Sequence, residues 1–322
     1  MIKSTIPIHI LKILAEHSSD QNRLTQQQIL YYLKTEYEDI VVRNTLSKYI
    51  RELRDEGYIN GVKGICLNRI FTNEEIKVLS DGLIYMRDIP KEQLYELAKK
   101  LDCFTYCEHS NYIQNRHIID SVVHTHNPNV LVNIAKLNDA IKSRSKVQLQ
   151  YCKCDILGTL LPDKCYEVSP YYIVTSKDHF YLLCYNGRQD VEARRLDRIL
   201  SVTWLEDRRV ELYEIPRYSN GSFQLEEYMK THIYMYSGEN KHILLKVKKE
   251  NIGDVIDWFG TEYRIMEEGE EYVNLRLYAN EDAVVFWALQ YGRIAKVLEP
   301  VSLRQKIYER VKELEGMYGG GE

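Results

Sequence analysis

The sequence predicts a protein of the α+β class with several domains. Three observations support this prediction. Apolar residues recur at helical spacing through residues 1–70 and again through 71–145, and a short glycine-containing hairpin pattern separates these two stretches. Alternating strand patterns begin near residue 146, and from residue 237 onward strand and helix patterns alternate. A chain of 322 residues is long enough for each such region to bury a core of its own. We therefore predict domains at 1–70, 71–145, 146–236 and 237–322.

Composition narrows the classes of function. Hydrophobic residues make up 44% of the chain and charged residues 28%, which is typical of a globular protein and not of a disordered tail. The 43 Lys and Arg residues nearly balance 47 Asp and Glu residues, for a net charge of -4. A site for nucleic acid or phosphate must therefore be a local basic patch.

The chain has no targeting or membrane signal that we recognise. Its apolar runs fall short of the roughly 20 residues that a membrane helix needs, and its start lacks the apolar core of a secretory signal. The seven cysteines are scattered and odd in number, which favours reduced thiols over a disulfide framework. We expect a cytoplasmic protein without a membrane partner.

Residues 1–70 show three helix patterns and a hairpin. Pro7 suits a first helical turn, Thr25 and Gln28 form a capping box, and a third helix from about 41 to 56 stops at Gly57. The third helix has an apolar stripe at Val42, Leu46, Ile50 and Leu53. The hairpin pattern "GYINGVKGICL" follows directly.

The opposite side of this third helix is polar and basic. Positions 43–54 contain four basic residues and one acidic residue, which gives this segment a net charge of +3. We call the following residues the basic face: Arg43, Asn44, Thr45, Ser47, Lys48 and Arg51. Such a helix suits the major groove of double-stranded DNA, and Lys63 at the hairpin tip could reach a phosphate. This region resembles the winged helix-turn-helix of bacterial transcription regulators. The alternative is a three-helix packing module with a solvated basic side.

The region 71–145 is predicted to be a helical connector. Thr72 and Glu75 form another capping box, and Ile76, Leu79 and Leu83 continue an apolar stripe. Connecting helices of this kind dock on another domain or on a second subunit, and the pattern does not separate these possibilities.

One cluster of cysteines and histidines raises the possibility of a metal site. Its members are Cys103, Cys107, His109, His117, His124 and His126. Cys103 and Cys107 are four apart in a helical pattern, whereas structural zinc ligands are usually paired at a tight turn. Buried thiols and solvent-facing histidines explain the cluster better, so we predict no metal and no cofactor.

Short strand patterns in 146–236 predict a small, strongly bent sheet or barrel. The order "V-x-L-x-Y", "VSPYYIV", "FYLLCY" and "RLDRI" resembles the WYL domain of bacterial regulators, with Phe180, Tyr181 and Leu182 at the triplet that names it. The resemblance implies an Sm-like or SH3-like barrel. It also implies a basic ligand pocket lined by Tyr181, Arg195 and Arg198, with Ser169 and Tyr171 near the rim.

The arginines indicate the chemistry of that pocket. Arg194, Arg195 and Arg198 follow one another closely in "VEARRLDRI". Guanidinium groups bind phosphate bidentately and tyrosine faces stack on bases, so the segment suits a nucleotide or a single-stranded nucleic acid. The alternative is structural pairing with Asp197 or a nearby glutamate. Phe180 in place of Trp, and Glu192 in place of a basic residue, favour a smaller or less charged ligand.

The last region, 237–322, has the order βαββαβα, which is the ferredoxin-like pattern. Its "VLEP" followed by "LRQKI" resembles the C-terminal extension that accompanies WYL domains, and that resemblance implies a homodimer. Trp258, Phe286 and Trp287 are predicted to be core residues.

The function predicted from these parts is transcription regulation. The sequence contains no Walker loop, nucleophile elbow or strong zinc spacing, so an enzyme is not expected. We expect a homodimeric DNA-binding regulator that senses an anionic effector, with repression preferred over activation. The alternative is an accessory protein that binds single-stranded RNA or DNA through the WYL domain. A basic face richer in apolar residues would have favoured this alternative.

Overall fold

The computed structural model describes residues 5–19, 22–68, 71–102, 120–188, 190–221 and 223–319. The chain divides into two compact units, Met1–Thr125 and His126–Glu322. The first unit is mainly helical, and the second contains two larger antiparallel sheets with helices. This arrangement confirms the predicted α+β class. Within the described residues, no helix is both long and apolar enough to cross a membrane.

The first unit contains five described helices and one small hairpin. They are α1 (Ile6–His17), α2 (Gln26–Tyr37), α3 (Arg43–Asp55), β1 (Ile59–Asn60), β2 (Cys66–Leu67), α4 (Asn73–Ile84) and α5 (Lys91–Asp102). β1 and β2 pair antiparallel, and an isolated bridge joins Leu24 to Ile65 beside them. The hairpin is therefore tied to the chain between α1 and α2.

Local signals set the ends of these helices. The capping boxes predicted at Thr25 and Thr72 both form, with side-chain and backbone bonds to Gln28 and Glu75 respectively. Gly57 takes a positive φ of 80° just beyond α3, as its predicted role at the end of that helix requires. These short-range predictions are confirmed because each depends on residues within one helical turn.

The inward stripe of α3 is shorter than predicted. Leu46, Ile50 and Leu53 are buried among residues of α1 and α2. Val42 is predicted to lie in this stripe, but it is 67% exposed. The reason is that α3 begins at Arg43, so Val42 is the N-cap residue with extended dihedral angles and lies off the helical face.

The second unit begins with a helix and a five-stranded sheet. These are α6 (Val130–Ser143), β3 (Ser145–Cys154), β4 (Leu160–Ser176), β5 (His179–Tyr185), β6 (Glu192–Arg195) and β7 (Ile199–Arg208). The strand order is β6-β5-β4-β3-β7, with every pair antiparallel. Leu137 and Ala140 of α6 share a core with Val147 and Leu149. The sequence pattern places this helix in the connector, whereas in the structure it packs on the sheet.

The chain then passes through α7 (Leu225–Thr231) to a four-stranded sheet. Its elements are β8 (Asn240–Lys248), α8 (Ile252–Phe259), β9 (Arg264–Glu268), β10 (Tyr272–Asn280), α9 (Glu281–Gln290), β11 (Ala295–Glu299) and α10 (Val301–Tyr318). The strand order is β11-β8-β10-β9. The first and third strands of this region are thus central, which places α8 and α9 as crossovers from a central strand to an edge.

The three tryptophans of the chain all belong to the second unit, in three environments. Trp287 is fully buried, Trp258 packs at the edge of the same core beneath the Lys177 ammonium group at 3.9 Å, and Trp204 on β7 is 47% exposed.

Phe286 is predicted to be a core residue, and this is wrong because its side chain is 54% exposed. On α9 it is next to Trp287 in sequence, so the two side chains point in different directions.

Candidate functional site

The basic face of α3 is open to solvent along most of its length. Arg43, Asn44, Lys48 and Arg51 are exposed, and Thr45 and Ser47 are half-buried. Lys48 lies 3.8 Å from Glu52, an exposed pair on the same helix that contributes little to stability. Ser47 Oγ donates a hydrogen bond to Gln26 Oε1 at 3.2 Å, so α2 positions this part of α3. Within the described residues, Arg43 and Arg51 form no ion pair.

The hairpin presents Lys63 at a tight turn. A Cβ atom on Gly61 would lie only 1.9 Å from the Gly64 carbonyl oxygen, so this close backbone approach requires glycine. Lys63 stands between the two glycines and is exposed. Lys63 is thus an exposed cation at the turn of the hairpin.

The arginines of β6 lie on opposite sides of the five-stranded sheet. In the register between β5 and β6, Tyr181 is opposite Arg195 and Leu182 is opposite Arg194. Because successive side chains of a strand alternate between faces, Tyr181 and Arg195 share one face and Arg194 lies on the other. Arg194 and Arg195, two of the three predicted effector-binding arginines, therefore do not share one surface.

Arg194 is packed inside the domain. Its guanidinium carbon lies 3.6 Å from the centre of the Tyr166 ring, and its Nε donates to Glu192 Oε1 at 2.7 Å. Only 11% of its side chain is exposed. Burial lowers the pKa of Arg194, but the charge and hydrogen bond of Glu192 together with the nearby Cys184 and Tyr166 more than offset this, so the pKa rises and the group stays charged. This geometry gives Arg194 a structural contact with an aromatic ring and a carboxylate.

Arg195 and Arg198 differ in how they are paired. Arg195 holds Asp197 with two bonds, Nε to Oδ1 at 3.0 Å and Nη2 to Oδ2 at 2.7 Å. Arg198 ends the short 3₁₀ turn Leu196–Arg198 and is exposed, with no ion pair among the described residues. The structural pairing with Asp197 therefore occurs at Arg195. An anionic ligand that reaches Arg195 would compete with Asp197 for its guanidinium group, whereas Arg198 is open to solvent.

Buried asparagines hold the turn that carries Arg198. Asn127 Nδ2 donates to the carbonyl oxygens of Asp197 at 2.9 Å and Ile199 at 2.8 Å. Asn133 Nδ2 donates to the same Ile199 oxygen at 2.7 Å. Sequence reasoning missed this support. The repeated asparagines in "NPNVLVN" are its only sequence signal, and they do not indicate a partner about 70 residues away.

Ser169 and Tyr171 are buried, although the resemblance to WYL domains implies a position near the rim of the pocket. Ser169 Oγ accepts a bond from the Val210 N–H at 2.9 Å, and the Tyr171 hydroxyl donates to the Val210 carbonyl at 2.7 Å. Burial raises the pKa of Tyr171, so the phenol stays protonated. Both side chains therefore fix the segment after β7. Tyr181 is half-buried and makes an edge contact with His179, with 6.4 Å between the ring centres.

Two family models match the second unit. The model of the WYL domain matches residues 132–204, and the model of the WCX domain matches residues 239–314. The chain contains a WYL domain followed by a WCX domain. The WYL match takes in α6, the arginine segment and most of β7, so the packing of α6 on the five-stranded sheet belongs to the WYL domain. The WCX match covers the four-stranded sheet and most of α10.

Solved structures of similar proteins were also found. Proteasome accessory factor B/C (PafBC) of Arthrobacter aurescens is 15% identical, with a TM-score of 0.31 over 98% of this chain and 49% of that one. A CRISPR Cas-related protein is 13% identical, with a TM-score of 0.38 over 98% of this chain and 85% of that one. The chain thus spans about half the length of PafBC. No curated protein matches the sequence.

The candidate metal ligands fall mostly outside the described residues. Cys103, Cys107, His109 and His117 lie there, and His126 is exposed. His124 is buried, with Nδ1 3.3 Å from the Met86 carbonyl oxygen. The absence of a metal therefore stays a prediction. In the WYL domain Cys152 and Cys154 are free thiols, and burial raises the pKa of Cys152 to about 11, which keeps this sulfur protonated.

The exposed side of the arginine turn is suited to an anion. Burial raises the pKa of Tyr151 to about 12, and the positive charges of Arg198 and Arg194 partly offset this rise. Tyr151 therefore stays neutral and adds no negative charge near Arg198. An exposed guanidinium group such as that of Arg198 can bind a phosphate bidentately.

Proposed function

We propose that the protein is a cytoplasmic, homodimeric transcription regulator that binds specific double-stranded DNA and represses transcription. Its WYL domain senses an anionic effector, either a nucleotide or a single-stranded nucleic acid, and the protein has no catalytic role. The observation that carries this proposal is the exposed basic face of α3, followed directly by a glycine-constrained hairpin with Lys63 at its tip. That combination suits insertion of one helix into a major groove with a phosphate contact beside it.

The proposed domain folds support this assignment of roles. We interpret α1 to α3 with the β1–β2 hairpin as a winged helix-turn-helix, and the five-stranded sheet as a small Sm-like or SH3-like barrel. The strand order β11-β8-β10-β9 with crossovers α8 and α9 suits a ferredoxin-like domain. DNA recognition, effector sensing and dimer formation would then occupy separate parts of the chain.

We expect the variant Lys48→Ala with Arg51→Ala to bind duplex DNA roughly 10- to 100-fold more weakly. Both side chains are exposed on α3, so their removal leaves the core of the first unit unchanged. The salt dependence should flatten by about one unit of slope for each phosphate that the protein no longer neutralises. The measurement is a salt titration of binding to the duplex that the wild-type protein selects from a random pool.

Lys99→Ala is the matched control for this experiment. Lys99 is also an exposed lysine of the first unit, 62% exposed, but lies on α5. Its removal should leave affinity and slope unchanged. Equal binding by the wild type and the Lys48/Arg51 variant would contradict the role of the basic face. Preferential binding of single strands, insensitive to that variant, would instead support an accessory single-stranded RNA- or DNA-binding protein.

The effector site is best supported at Arg195, Arg198 and Tyr181. Arg195 and Tyr181 lie opposite each other on one sheet face, and Arg198 is exposed at the end of the adjoining turn. Arg194 contributes to the packing of the same strand from the other face. A ligand that displaces Asp197 from Arg195 would move the turn, which gives the site a means to favour one dimer arrangement.

We expect Arg195→Ala with Arg198→Ala to weaken effector binding by roughly 100-fold or more while sparing DNA binding without effector. The variant removes the charge-assisted hydrogen bonds that two guanidinium groups would donate to the effector. DNA binding should persist because α3 belongs to the other compact unit. Calorimetry with nucleoside monophosphates and short single-stranded oligonucleotides measures the first quantity. Arg188→Ala, an exposed arginine in the loop before β6, is the control. Equal ligand binding by all three proteins would show that the proposed site is incorrect.

A further inference from the structure

The last helix, α10, packs on its own domain only near its start. Leu303 is buried and Ile307 is half-buried against the core of the four-stranded sheet, whereas residues 308–318 are all exposed. A helical segment this short is marginal in water unless one of its faces packs against other protein. The second half of α10 has no buried side chain, so a partner would stabilise it.

One exposed face of α10 has the spacing of a helix that pairs with another helix. Its residues, which we call the seam, are alternately three and four positions apart: Val301, Arg304, Tyr308, Val311, Glu315 and Tyr318. The valines and tyrosines among them are 46–85% exposed. Apolar residues with this alternation form the contact between the helices of a two-stranded coiled coil. The seam is therefore a helix-pairing surface that its own chain leaves open.

The two charged residues of the seam differ from the other charged residues of α10. Arg304 and Glu315 have no side-chain partner within the described residues. The other charged side chains of the helix each have a neighbour in the same chain: Lys306 with Glu281, Arg310 with Glu313, Glu309 with Gln305, and Lys312 with the Tyr308 ring. At about 1.5 Å of rise per residue, Arg304 and Glu315 are too far apart along the helix to pair with each other.

A second copy of α10 in the antiparallel orientation would pair both charges. In a dimer with two-fold symmetry the same surface of each chain makes the contact. An axis midway between Tyr308 and Val311 sets Arg304 opposite Glu315 of the partner subunit. It also sets Val301 opposite the partner's Tyr318, and Tyr308 opposite the partner's Val311. A parallel pair in register would instead set arginine against arginine and glutamate against glutamate, which repel each other.

A groove beside the first half of α10 has room for the partner helix. It lies between α9, β11 and α10, has a volume of about 520 Å³, and is lined in part by four seam residues and two apolar neighbours: Val301, Arg304, Tyr308, Val311, Ala288 and Val297. Lys296 of β11 adds an exposed cation to the same groove. An apolar groove with two cations matches a helix end that carries Glu315 and Tyr318.

We propose that two copies of the chain associate through α10 as an antiparallel pair, with the second half of each helix lying in the groove of the other. The proposal rests on the homodimer of the proposed function and assigns a contact surface to it. The seam supplies apolar contact at its centre and at both ends. The two pairs of Arg304 with the partner's Glu315 set the orientation and the register.

The test is sedimentation velocity of the full chain over a range of protein concentrations, and the wild type should dimerise. Arg304→Glu and Glu315→Arg should each raise the dissociation constant of the dimer by at least about 10-fold, because each variant creates two like-charge contacts. The variant with both substitutions should return to within about 3-fold of the wild type, because both pairs form again with the charges exchanged.

Glu313→Arg is the matched control, since it reverses an exposed charge of α10 outside the seam. It should leave the dissociation constant unchanged. Circular dichroism should show that every variant is folded, because each substituted side chain is exposed. A wild type that stays monomeric would contradict both this proposal and the proposed homodimer. A dimer that withstands both single charge reversals, or that the double substitution does not restore, would contradict the pairing of α10 alone.

Discussion

Replacing Trp287 with alanine should lower the free energy of unfolding of the WCX domain by about 3–5 kcal/mol. Trp287 is fully buried in the core of the four-stranded sheet. It makes an edge contact with Phe259 and a stacked contact with Tyr291, each with 5.1 Å between ring centres. Alanine would leave a cavity that the surrounding strands and helices could fill only in part.

Chemical denaturation followed by circular dichroism measures this decrease. Phe286→Ala is the matched control, because the adjacent aromatic residue is 54% exposed and its removal should cost about 1 kcal/mol or less. Trp287→Phe should cost less than Trp287→Ala, partly because the indole Nε1 is buried without a partner among the described residues. Similar decreases at 286 and 287 would contradict the packing described for α9.

Asn127→Ala should cost about 2–4 kcal/mol and should also weaken effector binding. Asn127 is fully buried and its amide bonds to two carbonyl oxygens at the turn that carries Arg198. Asn133 would still donate a hydrogen bond to the Ile199 carbonyl oxygen. The Asp197 carbonyl oxygen would lose the hydrogen bond from the Asn127 amide. The turn would therefore lose its position as well as its stability.

Asn129→Ala provides the comparison for that experiment. Asn129 is exposed and bonds to the Leu200 carbonyl at 3.0 Å, so its removal should cost less than about 1 kcal/mol. Unfolding curves and effector titrations of both variants give the two measurements. A normal effector affinity in a destabilised Asn127→Ala protein would show that the turn does not need this support to bind ligand.

Short-range features were predictable from the sequence. The capping boxes at Thr25 and Thr72 and the stripe of Leu46, Ile50 and Leu53 depend on neighbours within a few turns of one helix. Val42 shows the limit of that reasoning, because a shift of the helix start by one or two residues takes a side chain off the face. The order of strands and helices could also be predicted from the sequence, because apolar residues recur with one period in strands and with another in helices.

The candidate site was less predictable because it depends on distant contacts. Alternation along β6 separates Arg194 from Arg195, but the pairing of Arg195 with Asp197 depends on the 3₁₀ turn between β6 and β7. Ser169 and Tyr171 are directed to the backbone of Val210, about 40 residues later in the chain. Neither spacing nor charge in the sequence indicates such a partner.

The distribution of tryptophan has a consequence for spectroscopy. All three tryptophans lie in the second unit, and residues 1–125 contain none. Fluorescence excited selectively at tryptophan therefore reports on the WYL and WCX domains and is blind to structural change confined to the first unit. A shift in emission on addition of duplex DNA would consequently record a structural change in the second unit, which lies outside the helix that we propose to bind DNA.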